Sequence, residues 1–348
     1  MSAMVDAAAV VRILEGVLHG AARPVALHEP VFDGSAWRNV KDCLDTGWVS
    51  SVGSYVDRFE RDLGEHVGGY AVAVSNGTSA LHACLLLAGV EANDEVLVPA
   101  LTFIATANAV SYCAAVPHFV DSTEATLGMD PARLSAYLSE IAEVRGAECR
   151  NRKTGRRITA VMPMHTFGHP VDVDALREVA DRFSLALVED AAESLGTRYK
   201  GRHTGSLGRV GALSFNGNKI ITTGGGGALV TSDAELAARA KPLPTTARVP
   251  HRWSFIHAQV GYNYRMPNIN AALGCAQLEA LPELLRRKRA LAARYAAAFQ
   301  GITGARIFSE PAFASSNYWL NVLVLDEETA GTRDEILDAT NAAGFHTR

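Results

Sequence analysis

Between about residues 70 and 230, short apolar runs of β type alternate with stretches whose apolar positions recur at helical spacing. The runs are YAVAVS (70–75), EVLVPA (95–100), AVPHFVD (115–121), ITAVMPM (158–164), LALVED (185–190), GALSF (211–215) and GALVT (227–231). TSALHACLLLAG and VDVDALREVADRF carry the helical pattern between the earlier runs. This alternation predicts βαβ units, hence an α/β fold with a mainly parallel central sheet covered by helices on both faces. Beyond residue 266 the pattern becomes one long helix containing RRKR (286–289), which reads as a solvated basic face. A strand-like run, YWLNVLVLD (318–326), and a helix, TRDEILDATNAAG (332–344), follow. The opening MSAMVDAAAVVRILEGVL reads as an amphipathic helix rather than a signal peptide, because Asp6, Arg12 and Glu15 interrupt it. The expected organisation is an N-terminal helical arm (1–29), a large domain (30–265) and a smaller α+β domain (266–348). CRNRKTGRR (149–157) is expected to be an exposed hairpin or loop.

Composition narrows the function. Of 348 residues, 48% are hydrophobic and 20% charged, which suits a folded globular chain. With 33 basic and 37 acidic residues the net charge is −4, without the basic excess of a nucleic-acid binder. No run approaches the roughly 20 apolar residues of a membrane span. The cysteines are odd in number and never in a CxxC pair, so neither a disulfide framework nor a metal site is expected, and a cytoplasmic location is.

In mainly parallel sheets, ligands bind beyond the carboxyl ends of the strands. Polar residues collect there. Gly77, Thr78 and Ser79 join a strand end to a helix start, where free N–H groups and hydroxyls can hold an anion, although Thr78 or Ser79 could equally be a simple cap. Asp190 ends an apolar strand, where burial would be costly without a partner, and it could also be a helix cap. Lys219 follows another strand, and a lysine shielded from water loses its proton readily and becomes a nucleophile. An anion cradle, a carboxylate, an amine and an aromatic cover, here Phe103, are the four features pyridoxal phosphate requires.

The motifs SNGTSAL, PALTFIATANAV, HTFGHPVD, VEDAAESLGT, SFNGNKIITTGGGGALV and GYNYRMPNINAALGCAQLE, in this order, resemble the DegT-type (DegT/DnrJ/StrS) sugar aminotransferases from about residue 25 onward. The resemblance implies a fold-type-I pyridoxal phosphate enzyme, cycling through pyridoxamine phosphate, that moves an amino group from glutamate to a nucleotide-linked keto sugar. It makes Lys219 the Schiff-base lysine, Asp190 the partner of the pyridine nitrogen and Phe103 the ring cover. Gly77, Thr78, Ser79 and Ser214 become the phosphate site, and Asn263 reaches the cofactor phosphate of the neighbouring subunit in a homodimer. Glu193 stands beside the cofactor where many such enzymes carry Gln or His. Trp48, Ser50, His165, Tyr318 and Trp319 are candidate substrate contacts, although His165 could be packed or capping and the aromatic pair could be core.

NGNKIITTGGGG, RKTGRR and SNYWLN resemble most the branch acting on UDP-4-keto-6-deoxy-N-acetylhexosamines in surface-glycan and legionaminic-acid-type pathways. A GDP-perosamine-type or other sugar aminotransferase is the alternative. Two rivals use the same scaffold. A sugar dehydratase replaces the lysine by histidine, which Lys219 opposes, and a non-catalytic regulator would not need the Lys219 and Asp190 pair. Enzymes of this type continue beyond the GFHTR equivalent, so the small domain is expected to be incomplete. The four glycines (224–227) are expected to let the backbone turn and re-enter the sheet without bulk near the cofactor.

Overall fold

The apolar runs pair into one mixed sheet whose strand order brings their polar ends to a common edge. The computed structural model describes residues 5–348. Helices α1 (Ala7–Val17), α2 (Gly34–Thr46) and α3 (Ser54–Val67) precede β1 (Tyr70–Val74). There follow α4 (Gly77–Leu87), β2 (Glu95–Pro99), α5 (Ile104–Tyr112), β3 (Val116–Val120), α6 (Pro131–Ile141), β4 (Ala142–Arg145), β5 (Glu148–Asn151), β6 (Arg157–Val161), α7 (Val173–Arg182) and β7 (Ala186–Asp190). Next come β8 (Arg198–Tyr199), β9 (Arg202–His203), β10 (Val210–Ser214), β11 (Gly227–Thr231), α8 (Ala234–Ala240), β12 (Arg248–Val249) and β13 (Ile256–His257). The chain continues through α9 (Asn268–Ala298), β14 (Ala305–Ile307), β15 (Ala314–Ser315), β16 (Leu323–Leu325) and α10 (Arg333–Ala342).

The sheet runs β1-β11-β10-β7-β6-β2-β3, with β4 and β5 joined to it through β6. The pairs β2–β3, β2–β6, β6–β7 and β7–β10 are parallel, whereas β10–β11 and β1–β11 are antiparallel. Two successive reversals restore direction, so β1 points the same way as β10. The carboxyl ends of β1, β2, β6, β7 and β10 therefore share one edge. α4 is apolar nearly all round, and Ala80, Leu81, Ala83, Cys84, Leu85 and Leu87 are all buried, as a helix wedged between sheet and helices must be. A second cluster joins Leu134 and Leu138 of α6 and Leu176 of α7 to Ile158 and Val161 of β6. No helix among the described residues is long and apolar enough to cross a membrane.

Several expected boundaries take a different form. Val10 and Leu14 of α1 pack with Phe299, Ile336 and Phe345, so the N-terminal helix belongs to the core of the C-terminal unit instead of standing apart. RRKR is only partly a solvated face: Arg286 pairs with Glu283 in solvent, but Lys288 donates to the Trp319 carbonyl at 2.8 Å and Arg289 clasps Glu310. The strand expected from residue 318 begins at Leu323, because Tyr318 adopts φ 49° and cannot extend the ladder. Residues 149–157 form the hairpin connection from β5 into β6, docked where Asn151 and Thr154 donate to buried Glu95 at 2.8 and 2.6 Å.

One buried carboxylate ties the edge together from beneath. Glu189 is fully buried and accepts from His165 Nε2 at 2.9 Å, and from the backbone N–H groups of Gly205, Leu207 and Gly208 at 2.8, 2.7 and 2.6 Å. Burial alone would raise its pKa, but His165 and the backbone donors outweigh burial and hold it below the ordinary carboxylate value. A depressed carboxyl contributes stability that is complete above its unfolded pKa and lost as pH falls through the folded one. Glu189→Gln places an amide N–H against these donors and should cost about 3 kcal/mol at pH 7. The deficit should shrink on acidification below pH 4, read by urea unfolding at each pH.

Candidate active site

The edge residues converge on one amine. Lys219 follows β10, and its side chain is only 14% exposed. Its Nζ lies 3.4 Å from Glu193 Oε1 and 4.0 Å from the centroid of the Trp319 ring. Glu193 is buried, with Oε2 held by the Phe167 N–H at 2.8 Å. Asp190, at the end of β7, is 1% exposed, accepting from the Thr106 hydroxyl at 2.6 Å and the Ala192 N–H at 3.1 Å.

The electrostatics of this group are coherent. Burial lowers the Lys219 pKa, and the charges of Glu193 and Asp190 offset only part of that effect. Burial likewise raises Glu193 and Asp190, with Lys219 opposing the rise in both. Desolvation therefore exceeds the pair attraction on both sides, and amine and carboxyl are each pushed toward neutrality. A neutral buried amine is a nucleophile and a base.

A cradle lies beside this centre. Asn76 caps α4 by accepting from the Ser79 N–H at 2.8 Å and the Ser79 hydroxyl at 3.1 Å. The N–H groups of Gly77 and Thr78 open the helix at its positive end. The close approach of strands and helix demands glycine. A Cβ on Gly77 would lie 2.8 Å from Ser214 Cβ and 3.0 Å from Ser214 Oγ, and one on Gly227 would lie 2.5 Å from the Asn76 carbonyl. Of the four glycines, Gly227 thus acts by close approach, letting β11 pass beneath the start of α4. Asn76, Thr78 and Ser79, with Tyr112 and Tyr264, line a cleft of about 300 Å³.

The remaining candidates divide. Phe103 caps α5 with an exposed ring, one helical turn before the Thr106 that binds Asp190. Trp319 is buried, with Nε1 donating to the Asn218 carbonyl at 2.6 Å, so its face serves the Lys219 amine rather than an open cleft. His165 is fully buried with both ring nitrogens engaged, Nε2 by Glu189 and Nδ1 by the Val171 N–H, and offers no free nitrogen to a substrate. The Tyr318 hydroxyl accepts from the Glu310 N–H, and its ring meets His169 edge-on. Trp48 and Ser50 are exposed, while their carbonyls accept from Asn268 Nδ2 and the Asn268 N–H. Asn263 is exposed on the segment that follows β13.

Thr106, Asn317 and Asn268 escaped the sequence reading. Thr106 carried a signal, since it stands one turn after Phe103. Asn317 is fully buried, donating to the Glu193 and Leu195 carbonyls at 2.9 Å and accepting from the Trp319 N–H. Asn268 caps α3 from across the fold, accepting from the N–H groups of Tyr55 and Val56 at 3.1 and 3.3 Å. Both act over long sequence separations that no local pattern reveals.

Comparison with known proteins agrees with this geometry. Residues 32–348 match the DegT/DnrJ/EryC1/StrS aminotransferase family. The chain is 38% identical over 330 residues to a GDP-perosamine synthase of Caulobacter vibrioides, covering 93% of this chain and 83% of that one. It is 38% identical over 314 residues to a GDP-perosamine synthase of Escherichia coli O157:H7, covering 90% and 80%. Among solved structures, the aminotransferase TlmJ from Streptoalloteichus hindustanus superposes with a TM-score of 0.83 at 31% identity, covering 93% of this chain and 84% of that one. Both of these curated relatives are named for a GDP-linked product and not for the UDP-linked N-acetylhexosamine expected from the sequence. The chain belongs to the DegT/DnrJ/EryC1/StrS family and is a pyridoxal phosphate-dependent sugar aminotransferase of the fold-type-I class.

Proposed function

We propose that the chain transfers an amino group from glutamate to a GDP-linked keto sugar of the perosamine type, with Lys219 as its catalytic base and acid. The observation that carries this reading is the buried amine of Lys219 facing the buried carboxyls of Glu193 and Asp190. The donor set fits pyridoxal phosphate. The start of α4 and Ser214 approach so closely at Gly77 that a Cβ would fill the gap, leaving N–H groups and hydroxyls for a phosphate. Asp190 is satisfied by neutral donors, which leaves its charge for a protonated ring nitrogen.

When bound, the cofactor supplies the carbonyl that carries the amino group and a ring that takes up the electron pair. Thr78, Ser79 and Ser214 would hold its phosphate, Phe103 would cover the ring and Glu193 would stand beside it. Lys219 Nζ, whose pKa burial lowers, withdraws a proton from the carbon of the amino donor and returns it on the other side of the reacting group. It performs the same transfer in reverse for the sugar. Trp319 and Glu193 hold Nζ in place between these steps.

The acceptor is supported by the relatives' names and by a second cleft. Arg248, His251, Arg252 and Arg265 line a space of about 660 Å³ with Thr245 and Pro250, an environment suited to a nucleotide diphosphate. This cleft lies on a second arm, residues 245–265 with β12 and β13, which also carries Asn263 and on which Trp253 and Phe255 are 75% exposed and Val260 80%. So much exposed apolar surface on one arm supports a homodimer in which each arm closes the other subunit's cradle. The five buried thiols, all unpaired, support a reducing cytoplasm.

Lys219→Ala should still bind the cofactor but lose at least about a thousandfold in the glutamate half-reaction, followed by the visible absorbance of the bound cofactor. Unchanged bleaching would remove Lys219 from this role. Asp190→Asn should retain the cofactor yet slow the same half-reaction, and a wild-type rate at saturating cofactor would refute its electronic part. With glutamate and a panel of GDP-, UDP- and TDP-linked keto sugars, mass spectrometry should find the highest kcat/KM for the GDP-linked member. Preference for the UDP-linked N-acetyl sugar would return the assignment to that branch. Mixing Lys219→Ala with Asn263→Ala chains should restore activity in verified hybrid dimers, because one site then keeps both residues; no recovery would contradict the shared site.

A further inference from the structure

Within the otherwise apolar α4 run GTSALHACLLL, one histidine faces the core. His82 is 3% exposed, and burial lowers its pKa, so the imidazole is neutral. Its Nδ1 lies 3.2 Å from the Tyr264 hydroxyl, while Nε2 has no hydrogen-bond partner among the described residues. An unpaired ring nitrogen in an apolar cluster is costly, and a leucine would avoid the penalty. The bond to Tyr264 is what the histidine adds.

That bond has a consequence for Asn263. The Tyr262 and Tyr264 rings stack at 5.0 Å, and His82 meets both edge-on, at 4.9 and 6.0 Å. Side chains alternate along an extended segment, so with Tyr262 and Tyr264 turned inward, Asn263 between them turns out to solvent. The segment's main chain is held on both sides. The Tyr264 carbonyl accepts from the Ser75 N–H at 2.7 Å, and the Tyr262 and Tyr264 N–H groups donate to the Leu243 and Pro244 carbonyls at 2.9 and 3.0 Å. His82 is the side-chain pin of this clamp, and it stands on the helix whose first turn is the cradle.

We propose that His82 is a positioning residue for the cofactor phosphate, locking the Tyr262–Tyr264 pair so that Asn263 is presented from the arm in a fixed orientation. This rests on the proposed shared site, in which Asn263, as the family resemblance implies, reaches the cofactor phosphate of the neighbouring subunit. His82 touches no ligand itself. It acts through Tyr264 and the backbone between.

The test is the cofactor dissociation constant of the full-length protein, measured by equilibrium titration with pyridoxal phosphate, alongside the melting temperature of the cofactor-free form. Tyr264→Phe removes one oxygen without a packing change and should raise the dissociation constant about fivefold, the worth of one hydrogen bond, while the cofactor-free form melts a few degrees lower because both His82 ring nitrogens are then unpaired. His82→Leu should match it, and His82→Asn, whose amide replaces Nδ1, should stay within about twofold of wild type. Combined with Asn263→Ala, either Tyr264→Phe or His82→Leu should add less than about twofold to the effect of Asn263→Ala alone, because both act by one route. Fully additive losses would overturn the proposal, as would a wild-type constant for Tyr264→Phe while Asn263→Ala binds weakly. If Asn263→Ala itself binds normally, the assignment of Asn263 falls and this inference falls with it.

Discussion

A buried amine faces two buried carboxyls, and the arrangement around it follows from the cost of desolvating all three. Lys219, Glu193 and Asp190 each lose more by leaving water than their mutual attraction returns, so each is displaced toward its neutral form. A chain keeps such a group only where surrounding structure holds it. Here the sheet edge fixes the backbone, Thr106 and the Ala192 N–H fix Asp190, the Phe167 N–H fixes Glu193, and Trp319 closes over the amine. Pyridoxal phosphate would complete this set, with Lys219 and Asp190 as the residues to meet its carbonyl and its ring nitrogen.

The same logic separates the two neighbouring acids of β7. Glu189 and Asp190 alternate across the strand and meet opposite environments. Glu189 turns toward His165 and a nest of backbone N–H groups, which lower its pKa and make it a structural tie. Asp190 turns toward Thr106 and the Lys219 amine, where burial raises its pKa. One residue of register decides which carboxylate is braced by backbone donors and which lies beside the Lys219 amine.

Much of this was legible from the chain. The seven apolar runs coincide with β1, β2, β3, β6, β7, β10 and β11 to within a few residues, because a sheet buried on both faces leaves continuous apolar segments. Lys219, Asp190 and the Gly77–Ser79 turn were readable as strand-end groups, since βαβ topology gathers those ends, whereas Ser214 entered only through the family resemblance. What could not be read is long-range and side-chain specific. Asn268 capping α3, Asn317 bracing Glu193, and Lys288 turning inward from a basic run all depend on partners distant in sequence. His165 illustrates the reverse: its position after a strand was right for a site residue, but Glu189 on the adjoining strand claims its ring. The expected strand at 318 failed because Asn317 and Trp319 hold Tyr318 in a left-handed turn, a tertiary demand overriding β propensity.

The central claim is that Lys219, and not another shielded lysine, carries the cofactor. Lys288 makes the comparison stringent, since burial lowers its pKa to about 8 and it bonds the carbonyl of the same Trp319 that covers Lys219. Reduction of the cofactor-loaded protein with borohydride, followed by peptide mass spectrometry, locates the modified amine directly. A pyridoxyl group on the peptide containing Lys219 is the predicted result; its appearance on Lys288, with Lys219 unmodified, would contradict the account.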